Sequence, residues 1–216
     1  MSHDAASIML VDDHPLLRKG LQQLIELSDD LELVAQAGSG AEAIKLGEEL
    51  DPDLILLDLN MQGMDGLETL EKLRGVGVTS RIVMLTVSDA DEDVIAAISR
   101  GADGYLLKDM EPDELLTQIE RALQGKMVMS EAVTQALATA IRKPQPNNEA
   151  KLDSLTGREL EILKLIAKGL SNKLIARELD ISDGTVKVHV KHLLKKLGLR
   201  SRVEAAVWMI NQEKSD

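Results

Sequence analysis

Five short apolar runs, separated by stretches of helical length, occupy the first 125 residues, and that alternation leaves few folds open. The runs are Ile8–Val11, Leu33–Gln36, Leu54–Leu57, Ile82–Thr86 and Gly104–Leu107. Helices are expected between and after them at about 14–27, 40–50, 67–74, 90–100 and 111–124. Strand and helix in strict turn build a doubly wound, five-stranded parallel sheet, the α/β class. The third and fourth runs are almost wholly apolar, as central strands covered on both faces must be. Gly101 and Gly125 stand just past the fourth and fifth helices, and Pro112 occupies a tolerant first turn. Ligands of such a sheet gather at the carboxyl ends of its strands. Four runs stop there on a chemically useful group: Asp12-Asp13, Asp58, Thr86 and Lys108.

Taken singly, these residues have ordinary readings. An acid after a strand often caps the next helix, and a lone Thr or Lys is usually surface. Asp58 is harder to dismiss, because it ends an apolar strand and burying a carboxylate is costly. At matching strand ends the set describes a phosphoryl acceptor. A carboxylate is a weak nucleophile and needs its target's charge neutralised. Magnesium is the cation for this, since Asp13, Asp58 and the Asn60 main-chain carbonyl offer hard oxygens, with Asp12 holding a coordinated water. Lys108 would pair with one phosphoryl oxygen and the Thr86 hydroxyl would donate to another. Positioning and charge stabilisation are most of what phosphoryl transfer requires.

The net charge of −12 would argue against nucleic acid, but its distribution reverses that reading. Residues 1–128 carry 10 Lys and Arg against 26 Asp and Glu, a net of −16, while residues 151–216 carry 13 against 9, a net of +4. Between Gly184 and Val203 there are six cations and no acid. An acidic unit joined to one that meets polyanions fits this asymmetry. The chain has no cysteine, which excludes disulfides, thiol catalysis and zinc-thiolate sites. No apolar stretch reaches the roughly 20 residues of a membrane span, and Met1–Ser7 is polar, so a cytoplasmic protein without membrane contact is expected.

Three segments follow from this: 1–128, a linker at 129–153, and 154–216. Within the linker, 130–141 reads as a helix, and Arg142–Asp153 as a polar, proline-bearing connection with nothing apolar to bury. The last segment reads as four helices. Thr156 and Glu159 form a capping box, Ser171 and Ser182 cap the second and third helices, and Ser201 begins the fourth. Two helices joined by the turn Asp180-Ile181-Ser182, the second of them basic, make a helix-turn-helix. On that second helix Val186, Val190, Leu193, Leu194 and Leu197 form the inward stripe. Thr185, Lys187, Val188, Lys191 and Lys195 are left for double-stranded DNA, with Lys195, Lys196 and Arg202 suited to phosphates.

Residues 6–125 resemble the receiver domain of bacterial two-component response regulators, a flavodoxin-like fold. That resemblance makes Asp58 the phosphorylated residue, Asp12-Asp13 the metal-binding pair, and Thr86 and Lys108 the switch hydroxyl and phosphate-contacting lysine. It also makes Tyr105 the switch aromatic, which would rotate inward on activation. The loop Asn60-Met61-Gln62-Gly63-Met64-Asp65-Gly66 matches except at Gln62, where the family usually has proline. Residues 152–212 resemble the C-terminal domain of LuxR-type regulators through Leu155-Thr156-Gly157-Arg158-Glu159, Gly169-Leu170-Ser171-Asn172-Lys173, Thr185-Val186-Lys187-Val188-His189 and Lys196-Leu197-Gly198-Leu199. By that likeness Lys187, Val188 and Lys191 read bases, and Arg202–Asn211 pairs two subunits through Val203, Ala206, Val207 and Ile210, with Trp208 near the seam or in the core. Together the halves resemble the NarL family of response regulators, most closely those answering nitrate and nitrite. The resemblance implies a sensor histidine kinase as phosphate donor, slow self-dephosphorylation rather than turnover, and a resting form in which the receiver covers the recognition helix. The alternative is a phosphorylation-independent LuxR-type DNA binder whose receiver is structural.

Overall fold

The computed structural model describes residues 5–87, 91–125 and 148–213. Strands β1 (Ala6–Val11), β2 (Leu31–Ala37), β3 (Leu54–Asp58), β4 (Arg81–Thr86) and β5 (Gly104–Leu107) form one parallel sheet in the order β2-β1-β3-β4-β5. Helices α1 (Pro15–Ile25), α2 (Gly40–Leu50), α3 (Gly66–Val76), α4 (Asp91–Ser99) and α5 (Pro112–Leu123) alternate with the strands. The expected class and element order are therefore present.

Side chains alternate across a strand, so each central strand feeds two cores. Met9, Val11, Ile55, Leu57, Ile82 and Met84 pack on the side carrying Leu70 and Leu73 of α3. Ile8, Leu10, Leu54, Leu56, Val83 and Leu85 face the opposite way, onto Leu21 and Ile25 of α1 and Leu115 and Ile119 of α5. Every residue of β3 and β4 is buried, which is why those runs read as continuous rather than alternating.

The C-terminal unit comprises α6 (Asn148–Asp153), α7 (Gly157–Ala167), α8 (Asn172–Leu179), α9 (Asp183–Leu197) and α10 (Arg202–Glu213). The helix expected at 130–141 lies outside the described residues. The end of the expected linker is not irregular but helical. Leu152 packs against the C-terminal core, and the Lys151 ammonium donates to the Leu197 carbonyl at 3.0 Å, so this stretch does have something to hold. The capping box on α7 is formed on both sides: Glu159 N–H donates to Thr156 Oγ1 at 3.3 Å and Thr156 N–H to Glu159 Oε2 at 2.8 Å. Ser171 and Ser182 cap α8 and α9 through Leu174 N–H and Thr185 N–H. Val186, Val190, Leu193, Leu194 and Leu197 are buried on Ile162, Leu163 and Ile166, as the stripe required. No helix among the described residues is long and apolar enough to cross a membrane.

Candidate functional site

The sheet register brings four distant segments together. Asp58 pairs with Leu85, Thr86 with Leu107, and Val11 with Leu57, so Asp12, Asp58, Thr86 and Lys108 all emerge at one edge. Asp12 and Asp58 are buried and Asp13 partly so. The Lys108 ammonium reaches across the sheet to Asp12 Oδ2 at 2.6 Å and Asp58 Oδ2 at 2.8 Å. The backbone sets this up, since Lys108 N–H donates to the Thr86 carbonyl at 2.7 Å.

Burial pushes the Asp58 carboxyl above its ordinary range, and nearby Asp12 adds to that. Lys108 and the Asn60 N–H, which donates to Asp58 Oδ1 at 3.2 Å, oppose the shift without overcoming it. Ligand atoms of Asp12, Asp13, His14 and Asp58 lie within 4.8 Å of one another. Asp13 Oδ1 is buried with no hydrogen-bond donor, and His14 Nδ1 stands 2.8 Å from it. A tight set of carboxylates with an unsatisfied inward oxygen and surplus negative charge suits a hard divalent cation such as magnesium.

The turn above the pocket is held by glycine and by main-chain donors. Gly66 N–H donates to the Leu59 carbonyl at 2.9 Å, and a Cβ on Gly66 would stand 2.1 Å from the Asp58 carbonyl oxygen. Gln62 N–H donates to Asp13 Oδ2 at 2.9 Å, a bond that proline could not make. The departure from the family pattern at this position thus adds a contact. His14 N–H donates to Asp12 Oδ1 at 2.7 Å, and Arg18 donates to the Asp12 carbonyl. Sequence reasoning missed His14, Arg18 and the Gln62 amide. Only the position of His14 beside the acidic pair could have flagged any of them.

Tyr105 is buried in this conformation, packed with the core on the α3 side of the sheet. Thr86 is fully buried at the end of β4.

Among the residues expected at DNA, Thr185 and Val188 are exposed on α9, but the helix is turned toward the receiver. Lys187 Nζ donates to the Asp51 carbonyl at 2.6 Å and Lys191 Nζ to the Val76 carbonyl at 3.1 Å. Lys195 is exposed. Lys196 is committed to Glu159 at 2.7 Å. Burial would raise the Glu159 carboxyl, but Lys196 and the Thr156 donors outweigh it and hold the group below its ordinary range. Arg202 does not fit a phosphate contact in this conformation. It is buried at the first turn of α10, donating to Asn172 Oδ1 at 3.1 Å and to the Leu170 carbonyl. Burial, and then the Arg81 guanidinium nearby, pull it down to about 9. On α10, Val203, Ala206, Val207 and Ile210 retain exposure, whereas Trp208 belongs to the core.

Comparison with known proteins agrees with both halves. The family described as response regulator receiver domain matches residues 8–120, and that of the bacterial regulatory proteins of the luxR family matches residues 153–209. The chain belongs to the two-component response regulators with a LuxR-type DNA-binding domain. It is 56% identical over 213 residues to the nitrate/nitrite response regulator protein NarL of Escherichia coli (strain K12), spanning 99% of this chain and 98% of that one. To the nitrate/nitrite response regulator protein NarP of the same strain it is 53% identical over 205 residues, spanning 95% and 94%. Among solved structures, the response regulator ChrA of a heme-sensing two-component system is 33% identical with a TM-score of 0.50, spanning 97% of this chain and 98% of that one. In this response regulator the acidic pocket lies within the first matched region and the basic helix α9 within the second.

Proposed function

We propose that the chain is a transcription regulator whose sequence-specific DNA binding is switched by phosphorylation of Asp58 by a sensor histidine kinase, in gene regulation responding to nitrate or nitrite. The observation that carries this is Lys108 spanning Asp12 and Asp58 at 2.6 and 2.8 Å, beside an acidic cluster with an unsatisfied inward oxygen. Asp12, Asp13, Asp58 and the Asn60 carbonyl would hold magnesium, which supplies the charge neutralisation that lets one anion approach another. An Asp58 carboxylate oxygen attacks phosphorus, forming a P–O bond as the P–N bond to the donor histidine breaks. Lys108, relieved of part of its pairing with Asp58, turns to a phosphoryl oxygen. The Thr86 hydroxyl donates to another, drawing the end of β4 toward the pocket. Slow attack of water on the acyl phosphate releases inorganic phosphate and regenerates the Asp58 carboxylate, so Asp58 carries a signal rather than turning over a substrate.

The closed arrangement supports the switch. Lys187 and Lys191, the residues proposed to read bases, are spent on receiver carbonyls. Release would expose α9 for the major groove and free Val203, Ala206, Val207 and Ile210 to pair two subunits. The nitrate and nitrite assignment rests on the relatives NarL and NarP. The proposed units are a receiver at 1–128, a linker at 129–153 and a DNA-binding domain at 154–216.

The test is random-pool selection of duplex DNA with protein untreated or treated with acetyl phosphate and magnesium. Tight, selective binding only after treatment, lost in Asp58→Asn, is expected. Equal binding in both states, or an Asp58→Asn protein that responds like the parent, would instead favour the phosphorylation-independent regulator.

A further inference from the structure

His14 stands at the mouth of the acidic pocket, and no step of the proposed function uses it. A residue before proline is held extended, and Pro15 at the start of α1 does this to His14 (φ −93°, ψ 104°). The turn folds back on the acidic pair. His14 N–H donates to Asp12 Oδ1 at 2.7 Å, while the imidazole Nδ1 lies 2.8 Å from Asp13 Oδ1 and 3.3 Å from Asp12 Oδ1. The backbone thus carries the ring to the carboxylates, although the side chain is 69% exposed.

Those separations have a chemical reading. Two atoms bound to one ion at about 2.0–2.2 Å lie roughly 2.8–3.5 Å apart, from right-angle to tetrahedral geometry. One ligand atom each from Asp12, Asp13, His14 and Asp58 lies within 4.8 Å of the others, so small side-chain turns close the set. Two of its oxygens lack donors. Asp13 Oδ1 has none, and Oδ2 of Asp58, a residue 2% exposed, accepts no hydrogen bond and has only its ion pair with Lys108. Three carboxylates against that one ammonium leave two negative charges, the charge of one divalent ion. Carboxylates, carbonyls and water suit magnesium, whereas an imidazole nitrogen beside them suits a borderline ion such as zinc.

We propose that His14 gives the pocket a second metal mode, in which Asp12, Asp13, Asp58 and the His14 imidazole hold a borderline divalent ion of the zinc class. This rests on the reading of the pocket as a metal site above. The magnesium mode uses oxygen ligands and keeps several waters, which leaves room for a phosphoryl oxygen. Four protein ligands instead fill a tetrahedral sphere, with no open position. A pocket filled in this mode is closed to the phosphoryl donor, so the ion acts as an antagonist of Asp58 phosphorylation. One side chain, the His14 imidazole, supplies the nitrogen that separates the two modes.

The experiment measures zinc and magnesium affinities of the full chain by competition calorimetry, comparing parent, His14→Ala and His14→Gln. The ratio of zinc to magnesium affinity should fall about tenfold or more in both variants, since even the partners of metal ligands are worth that much. Cobalt(II), which enters zinc sites and absorbs strongly in the visible when tetrahedral, should show that band in the parent and lose it in both variants. In magnesium buffer, zinc sufficient to fill the parent's site should suppress labelling by acetyl phosphate in the parent, and less so in the variants. Variants whose zinc-to-magnesium ratio matches the parent's would overturn the nitrogen ligand, and with magnesium still bound the switch reading would stand. Equal losses of both ions would overturn it too, by making His14 only a support for the carboxylates. Zinc that fills the parent's site yet permits labelling would overturn the closed sphere. A parent that binds neither ion would bring down this inference and the magnesium-dependent switch together.

Discussion

Replacing the proposed phosphoacceptor should stabilise the metal-free protein. Asp58 is 2% exposed and shares its pocket with Asp12 and Asp13, whose ligand atoms lie within 4.8 Å. At an effective dielectric of about 20, two such repulsions cost roughly 7 kcal/mol, against roughly 6 kcal/mol from Lys108 at 2.8 Å. Those terms nearly cancel and leave the burial of the carboxylate uncompensated. Asp58→Asn keeps an oxygen for the Asn60 N–H and leaves Lys108 to Asp12, so a gain of about 1–2 kcal/mol is expected at neutral pH. That corresponds to a rise in receiver melting midpoint of about 4 °C or more. The sign with pH follows from the raised Asp58 carboxyl. The folded chain holds that proton to higher pH than the unfolded chain. The cost is therefore complete above the folded value and absent below the ordinary carboxylate range. Thermal unfolding of parent and Asp58→Asn in chelator should show the gain at pH 7.5 and its disappearance near pH 4. Saturating magnesium should remove or invert it, because only the parent keeps the full ligand set. An Asp58→Asn protein less stable than the parent at pH 7.5, or a gain undiminished in acid, would refute the reasoning.

Two further substitutions probe the turn above the pocket and the seam between the units. Gln62→Pro removes the N–H that orients Asp13 through Oδ2 while Oδ1 faces the site, so magnesium affinity by calorimetry should fall about fivefold; unchanged or tighter binding would show that the amide orients nothing. Gly125→Ala places a Cβ 1.7 Å from the Gly169 carbonyl oxygen, a main-chain clash that no rotamer relieves. The seam must part there, and untreated protein should bind DNA several-fold more tightly. A mutant as closed as the parent by DNA affinity would show that the glycine pair does not set the seam.

The receiver was legible because its chemistry sits at strand ends. Apolar runs fix β1, β3, β4 and β5, parallel pairing fixes which ends coincide, and Asp12, Asp58, Thr86 and Lys108 then have nowhere else to be. The stripe on α9 was legible for the same reason, as Val186, Val190, Leu193 and Leu197 obey a period set by the backbone. What escaped depends on main-chain atoms or on tertiary partners. The donor to Asp13 is an amide that any residue but proline has, so Gln62 carried only a negative clue. Lys196 reads as a cation free for phosphate, yet Glu159, thirty-seven residues earlier, claims it. Arg202 heads a helix in a basic stretch, and nothing local says that the Leu170 carbonyl and Asn172 will draw it inside.

The same parallel sheet that gathers the acidic pocket also lays out the edge that meets the second unit. Every strand ends at the pocket edge, so every returning helix must end at the opposite one. The two edges therefore acquire opposed characters without any choice of side chain. One collects strand-end carboxylates that need a cation to ionise together, and the other collects helix-end carbonyls that attract one. The lysine-rich α9 meets the second edge through Lys187 and Lys191, two of the residues proposed to read bases. On the proposed function, competition between receiver and DNA for Lys187 and Lys191 would then be a consequence of topology.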